Sequence, residues 1–304
     1  MPPRFSLMAG AIHMVRKIGS NLHKFMAVPA ALLFAVFFVY PLFRGVGISF
    51  TDYNGISAPG FVGFENFISF FSDERALKDI VNTLQFGLMS AILLNIFGLV
   101  YALVLDGNSA IKRVSRTIVY KPAVISGLIM GYVWLMILSP QTGTFYKILE
   151  SLNALGLYKD WLGNMNDAMW AIIAVNVWQW VGGPMIIYLA GLQSIPVELY
   201  EASRMDGANY LKNLWHVTLP LLIPSVKINV ITNIIGSLAV FDVIAALTDG
   251  GPGYATESLS MFIYRNTYGG STGYATAVAV IMFFIILIPV AVSLFILKSR
   301  EVEM

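Results

Sequence analysis

Six long apolar stretches constrain this chain more than any other feature of its sequence. They cover residues 25–48, 83–105, 117–138, 169–192, 221–247 and 274–297. An α-helix needs about 20 mainly apolar residues to cross the hydrocarbon core of a bilayer, and each stretch reaches that length. Charged residues make up only 12% of the chain, against roughly 25% in a soluble domain. The sequence therefore predicts an all-α, polytopic membrane protein with six transmembrane helices, in a membrane domain of residues 25–298.

The distribution of Lys and Arg predicts the orientation of these spans, because basic side chains resist translocation and collect on the cytoplasmic side. Alternate connecting segments carry Arg4, Arg16, Lys17, Lys24, Lys112, Arg113, Arg116, Lys121, Arg204, Lys212, Lys227, Lys298 and Arg300. The segments between them carry Arg75, Lys78, Lys147, Lys159 and Arg265. We therefore expect both termini, an arm of residues 1–24 and a tail of residues 299–304, in the cytoplasm.

Catalytic and metal-binding chemistry is not indicated by the sequence. There is no cysteine, and the three histidines, His13, His23 and His216, are far apart. The loops contain no recognisable acid pair or nucleophile–base set, and no nucleotide-binding loop of the Gly-x-x-x-x-Gly-Lys-Ser/Thr type occurs. The formal net charge of +2 is too small to suggest nucleic-acid binding. We expect a protein that is not an enzyme, with no catalytic residue, metal or cofactor of its own.

The segment 193–220, between the fourth and fifth stretches, predicts a helix, a break and a second helix. Ser194 is a candidate N-cap, Pro196 is tolerated in a first turn, and Glu198 and Glu201 suit the positive end of the helix dipole. Leu199, Ala202 and Met205 recur at helical spacing on one face. Asp206-Gly207 then interrupts the helix, and a second short helix is expected over residues 209–216. The alternative is an interfacial helix that rests on lipid headgroups. The start of segment 193–220 is mixed and mildly acidic, which favours a protein partner.

The spacing in this segment resembles the EAA loop of permease subunits from binding-protein-dependent ABC importers. That motif has Glu-Ala-Ala, a Gly four positions later, and an aliphatic residue followed at a fixed distance by Leu-Pro. The matching residues are Glu201, Ala202, Ser203, Gly207, Val217, Leu219 and Pro220. Residues 175–184, 189–196, 241–242 and 247–252 resemble the carbohydrate branch, the relatives of the larger maltose-permease subunit. The long extra outer domain of the enteric maltose subunit has no counterpart here.

This resemblance implies a type I importer permease fold in the inner membrane, and it implies partners. The EAA helix would dock into a cleft of a cytoplasmic ATPase through Leu199, Ala202 and Met205, with Glu201 pairing a basic residue and Gly207 supplying the bend. Two ATPase subunits would bind Mg–ATP and hydrolyse it, a second permease chain would complete the pore, and an extracytoplasmic binding protein would deliver the sugar. The alternative role for Glu201 is stabilisation of the helix dipole alone.

The sugar site is expected near the membrane midplane, where polar groups face a cavity and helices are interrupted. Asn176, Gln179 and Trp180 offer amides for hydroxyls and an aromatic face for C–H surfaces, just ahead of Gly182-Gly183-Pro184. Alignment with the maltose-type subunit places sugar-contacting positions on Asn176, Gln179, Trp180, Gly183, Gly236, Ser237 and Val240. Interhelical hydrogen bonding is the alternative role for these polar side chains.

The sequence leaves one alternative open for the cargo and one for the energy source of transport. A di- or oligosaccharide is favoured, since Lys and Arg are absent from the expected midplane; a polyol phosphate such as glycerol 3-phosphate is the alternative cargo. An ion-coupled carrier would need buried acids, and Asp242 alone supports that reading thinly. We expect water to reach Asp242 from the nearby outer loop.

Overall fold

The computed structural model describes residues 27–298, and this part of the chain is α-helical. Its extended backbone pairing is limited to one bridge between Thr51 and Phe61. The predicted arm 1–24 and tail 299–304 lie outside the described residues.

Three helices are long and apolar enough to cross a membrane without interruption: α1 (Ala27–Ile48), α3 (Glu74–Leu105) and α14 (Thr272–Lys298). Three more candidates are bent pairs. They are α4 (Ala110–Tyr120, prolonged by a 3-10 turn to Val124) with α5 (Gly127–Leu138) at 98°, α7 (Ala168–Trp180) with α8 (Gly182–Ser194) at 45°, and α10 (Tyr210–Leu221) with α11 (Ile223–Leu238) at 66°. The shorter helices are α2 (Glu65–Ser72), α6 (Thr144–Ser151), α9 (Val197–Met205), α12 (Asp242–Leu247) and α13 (Leu259–Tyr268). The described residues contain up to six spans if each bent pair contributes one, which agrees with the six-span prediction.

The third and fifth predicted spans are not the continuous helices that residues 117–138 and 221–247 suggested. The backbone is extended at Ile125 and Ser126, so α4 and α5 meet almost at a right angle. Pro122 in the turn before this break has no N–H to donate. The fifth span stops at Leu238 and resumes at Asp242. Apolar length predicted the crossings but carried no information on these interruptions.

Helix α3 is the central helix of the fold. Asp73 caps its start by accepting from the backbone N–H of Arg75 at 2.9 Å, so the helix begins well before the predicted residue 83. Gly87 and Gly98 let neighbours approach closely. A Cβ at Gly87 would lie 2.3 Å from Cδ2 of Leu238 on α11, and one at Gly98 would lie 2.6 Å from Cβ of Pro184 on α8.

The core lies around α3, and the periphery is apolar as well. Phe86, Ile172 and Ile244 are fully buried in a cluster that joins α3 to α7 and α12. In contrast, Phe37 on α1 and Phe295 on α14 are 75% and 83% exposed. Large apolar side chains exposed along whole helices are expected of a protein that is surrounded by lipid.

A buried ionic network ties the start of α3 to the segment between α12 and α13. The guanidinium of Arg75 donates two hydrogen bonds to the carboxylate of Glu257, at 2.6 and 2.7 Å, and Glu257 is fully buried. Arg265 reaches the same carboxylate at 3.3 Å. The amide of Asn82 donates to the backbone oxygen of Glu257 at 3.1 Å. The chain after the break in the fifth span is thereby anchored to α3.

Candidate translocation cavity and coupling loop

The breaks in three spans meet around one cavity of about 420 Å³. Gly127 follows the break between α4 and α5, Gly183 follows the junction of α7 and α8, and Phe241 lies in the break between α11 and α12. The lining also contains Leu94, Asn176, Trp180, Pro184, Ile187, Asn229, Thr232, Asn233, Gly236, Ser237, Ala239, Val240, Asp242 and Val243. A cavity bounded by interrupted helices is the usual setting of a substrate site in a transporter.

The junction of α7 and α8 is held close to α4 by a glycine without space for a side chain. A Cβ at Gly182 would lie 2.6 Å from the Cα of Tyr120. Its neighbour Gly183 faces the cavity, and a Cβ there would meet nothing within 4 Å. The two consecutive glycines therefore have different roles. Gly182 permits close contact with α4, and Gly183 leaves space in the cavity.

Side-chain amides bond backbone carbonyls at or beside the breaks. Gln179 donates through Nε2 to the carbonyl of Ile125 at 3.0 Å, across the break in the third span. Asn229 donates through Nδ2 to the carbonyl of Pro184 at 3.2 Å, at the junction of α7 and α8. Irregular backbone at membrane depth needs such partners, because water and lipid do not supply them there.

Six of the seven predicted sugar-binding residues line the cavity: Asn176, Trp180, Gly183, Gly236, Ser237 and Val240. Gln179 does not. It is fully buried at the edge of the same face of α7, where it bonds Ile125. Asn176 and Gln179 lie three positions apart, and their different surroundings come from the packing of α4 against α7.

The cavity offers hydrogen-bonding groups and an aromatic surface. Asn176, Thr232 and Ser237 contribute amide and hydroxyl groups to the lining, and Oδ1 of Asn229 and Nδ2 of Asn233 are buried in its wall without a hydrogen bond to another described residue. Trp180 is 41% exposed and presents an indole to the same space. Amide and hydroxyl groups beside an aromatic ring suit a polyhydroxylated ligand.

Asp242 contributes the single charged side chain among the residues that line this cavity. It is exposed, at the first position of α12, and a Cβ at Gly127 would lie 3.4 Å from its Oδ2. The expected accessibility of Asp242 agrees with this position. Its carboxylate gives the cavity negative character, which disfavours anions.

The segment 193–220 forms α9, a turn and α10. Ser194 does not cap α9, contrary to its predicted role: it is the last residue of α8, and its hydroxyl donates to the carbonyl of Gly191 at 2.7 Å. Pro196 occupies the N-cap position instead. Gly207 follows α9 with φ of +76°, a left-handed conformation that side chains disfavour. Asn209 then caps α10 by accepting from the N–H of Lys212 at 2.9 Å.

Helix α9 has an inner and an outer face. On the inner face, the hydroxyl of Tyr200 lies 3.2 Å from that of Thr218, and Ser203 donates to the side-chain oxygen of Asn213. On the outer side, Leu199 is 42% and Met205 is 88% exposed. Glu201 and Ala202 are exposed as well. The inner contacts fix α9 to α10 and leave an apolar and acidic surface uncovered.

Comparison with known proteins decides the family. Residues 94–300, more than half of the chain, match the family described as binding-protein-dependent transport system inner membrane component. The chain belongs to this family. It is therefore a permease component of a binding-protein-dependent ABC importer, and the predicted resemblance is confirmed.

Individual relatives and a solved structure resemble this permease over nearly its whole length. A probable permease protein of a starch degradation products transport system from Thermoanaerobacterium thermosulfurigenes is 31% identical, over 91% of this chain and 94% of the relative. A permease protein of a multiple sugar-binding transport system from Streptococcus mutans is 35% identical, over 91% and 95%. A bacterial ABC transporter involved in the import of the acidic polysaccharide alginate matches with a TM-score of 0.79 and 25% identity, over 94% of this chain and 99% of the solved one. The type I importer permease fold is confirmed.

Sequence reasoning did not assign Gly127, Asn229, Thr232, Asn233 or Asp242 to the cavity of this permease. All five line it. A signal was present in the fifth span, where Asn229, Asn233 and Gly236 recur at helical spacing and share a face. For Gly127 there was no signal, because its position depends on the right-angled break before it.

Proposed function

We propose that this permease forms half of the translocation pathway of an inner-membrane importer for a neutral di- or oligosaccharide. The observation that carries the proposal is the cavity at the three helix breaks. It combines amides, hydroxyls and an indole, and its lining contains no Lys or Arg. Two relatives named for the transport of starch degradation products and of multiple sugars support a carbohydrate cargo.

A polyol phosphate is the alternative cargo. Phosphate sites in proteins are built from Arg, Lys or clustered N–H donors. The cavity lining has neither Arg nor Lys and includes the carboxylate of Asp242. This balance of charge favours a neutral sugar over an anion.

Energy for transport is proposed to come from two cytoplasmic ATPase subunits that bind Mg–ATP. The sequence contains no nucleotide-binding loop of its own. The uncovered side of α9, with Leu199, Glu201, Ala202 and Met205, is the docking surface in this proposal.

Helix α8 connects this docking surface to the cavity. It begins at Gly182, beside the cavity-lining Gly183 and Pro184, and ends at Ser194, two residues before the N-cap of α9. Thirteen helical residues span about 20 Å. A displacement of α9 would therefore act on the cavity through a short, rigid element.

The remaining partners are proposed on the same basis. A second permease chain completes the pore as a heterodimer, and a binding protein delivers the sugar from the outer side. In this arrangement both termini and the α9–α10 segment are cytoplasmic, as the excess of Lys and Arg on that side predicts.

The decisive experiment is uptake by proteoliposomes that contain this permease, its partner permease, the ATPase and the binding protein. Uptake of labelled di- and oligosaccharides should require internal ATP and should persist when ionophores abolish all ion gradients. Uptake that follows an ion gradient without ATP would refute the importer, and competition by glycerol 3-phosphate rather than by neutral sugars would refute the cargo class.

Two substitutions test the coupling role of α9. Gly207→Pro cannot keep a φ of +76°, because the proline ring holds φ near −65°. Glu201→Lys reverses an exposed charge. We expect both variants to reach the membrane and to lose most sugar uptake while ATP hydrolysis continues. Lys212→Gln is the control in the same segment and should retain uptake. Normal uptake by Gly207→Pro and Glu201→Lys would contradict the coupling role.

A further inference from the structure

Helix α4 uses two of its four basic residues inside the protein. Arg116 donates through Nη2 to the carbonyls of Leu105 and Gly107, at 2.6 and 2.7 Å, and Lys112 donates to the carbonyl of Asp106. These carbonyls lie at the end of α3, where cations complement the helix dipole. One side of α4, including the half-buried Val119, is thus committed to the helix bundle.

The other side of α4 exposes an apolar strip. Ile111, Val114 and Ile118 follow one another at intervals of three and four, so they share one face of the helix. They are 79%, 59% and 64% exposed. No described residue covers this strip, although each of its members is a large aliphatic side chain.

Two cations flank the strip without partners among the described residues. Arg113 lies next to Val114, and Lys121 follows Ile118 by three positions; both side chains are exposed. Neither forms an ion pair or a side-chain hydrogen bond in the described part of the chain. The sequence has no Asp or Glu between Asp106 and Glu150 that would neutralise them.

The direction of α4 fits a membrane surface. It meets α5 at 98°, and α5 consists of apolar residues and glycine apart from Tyr132 and Trp134. A helix at a right angle to one that enters the bilayer runs along the surface. Apolar side chains on one face with cations beside them are typical of helices in the lipid–water boundary.

We propose that α4 is a lipid-binding helix of the cytoplasmic leaflet, with Ile111, Val114 and Ile118 in the acyl-chain boundary and Arg113 and Lys121 on anionic phospholipid headgroups. Charge complementarity favours lipid over the second permease chain as the occupant, since the face offers two unpaired cations beside a narrow apolar strip. An anionic leaflet attracts each such cation, and two together predict a preference for anionic lipid of roughly 30-fold. This surface is independent of the cargo.

The absence of cysteine makes the proposal directly testable. Ile118→Cys is labelled with an environment-sensitive fluorophore in the assembled importer, which is reconstituted in vesicles of phosphatidylcholine and phosphatidylglycerol. Either lipid carries brominated chains as quencher, at equal mole fraction. We expect quenching at residue 118 by both lipids, stronger by severalfold with brominated phosphatidylglycerol, and little quenching of a label at Met205→Cys on α9.

Charge variants complete the test. The double variant Arg113→Gln with Lys121→Gln should abolish the preference for phosphatidylglycerol and retain quenching. The matched control, Arg204→Gln with Lys212→Gln, removes two exposed cations from the α9–α10 segment and should retain the preference. Absence of quenching at residue 118, as expected if the second permease covers the strip, overturns the proposal, and so does a preference that survives the double variant. Sugar uptake by the same vesicles reports separately on the proposed function.

Discussion

At the scale of single residues, two amides on α7 show how different roles follow from similar chemistry. Asn176 faces the cavity, whereas Gln179, three positions later, satisfies the carbonyl of Ile125 across a helix break. In the sequence, both residues are amides between apolar neighbours, and both suit a sugar equally well. The carbonyl that needs Gln179 is exposed only by the break in the neighbouring span.

This difference predicts opposite phenotypes for two alanine substitutions. Gln179→Ala removes a fully buried side chain and leaves the carbonyl of Ile125 without its partner, so it should lower the free energy of unfolding by about 1–3 kcal/mol. Asn176→Ala removes a cavity side chain that makes no hydrogen bond to another described residue, so it should change stability little and weaken sugar transport. Denaturant titration of the purified permease and the concentration dependence of uptake separate the two. Equal destabilisation by both would argue against the structural role of Gln179.

At the scale of secondary-structure elements, the interruptions of helices matter more than the helices. The third, fourth and fifth spans each break next to the cavity, and each break has a local cause or compensation: Pro122 before the first, Gly182-Gly183-Pro184 at the second, and Ser258, whose hydroxyl donates to the carbonyl of Val240 at 2.9 Å, at the third. Continuous helices of the same composition would cross the bilayer but would leave no such cavity.

The paired glycines at the junction of α7 and α8 test this idea. Gly182→Ala places a Cβ 2.6 Å from the backbone of Tyr120, and overpacking of this kind should cost about 1–3 kcal/mol of stability. Gly183→Ala meets nothing within 4 Å and should leave stability within about 0.5 kcal/mol of the parent. It should nevertheless alter sugar selectivity, because the added methyl group enters the cavity. Thermal unfolding in detergent compares the two, and a greater loss for Gly183→Ala would contradict the assignment.

At the scale of the whole molecule, long-range ties hold the broken spans in register. Glu257 joins the start of α3 to the segment after α12 through Arg75 and Arg265. Leu259 adds a second tie, as its N–H donates to the hydroxyl of Thr83 at 2.9 Å. These residues do not line the cavity, but their contacts anchor the segment that follows α12 to α3.

Removal of the buried carboxylate should therefore destabilise the permease. Glu257→Ala leaves Arg75 without its bidentate partner, whereas Arg265 keeps Asp249 at 3.2 Å. Breaking a buried pair typically costs about 3–5 kcal/mol. The value here should lie toward the lower end, because Arg75 and Arg265 are 33% and 31% exposed. The exposed pair of Lys159 and Asp167 is the control, and Lys159→Gln should cost less than about 1 kcal/mol. Comparable losses in denaturant titration would show that Glu257 is not an anchor.

The sequence by itself determined that the protein resides in a membrane, how many times the chain crosses it, and which family the chain belongs to. Span length and apolar content are local properties, and the EAA spacing from Glu201 to Pro220 lies within one short segment, so both are readable without a fold. Cavity residues on α7 could also be predicted from the sequence, because helical spacing places Asn176 and Trp180 on one face.

Only the tertiary structure decided which polar residues face the cavity and which support it. Gln179 and Asn229 have partners on other spans, 54 and 45 positions away, and Gly127 reaches the cavity through a right-angled break that hydropathy does not record. The same holds for α4. Its last residues were predicted as the start of the third span, but α4 meets α5 at 98°. Hydrophobicity measures the free energy of transfer from water and does not report which way a side chain or helix points. A binding site depends on that orientation, which is decided by packing between distant segments.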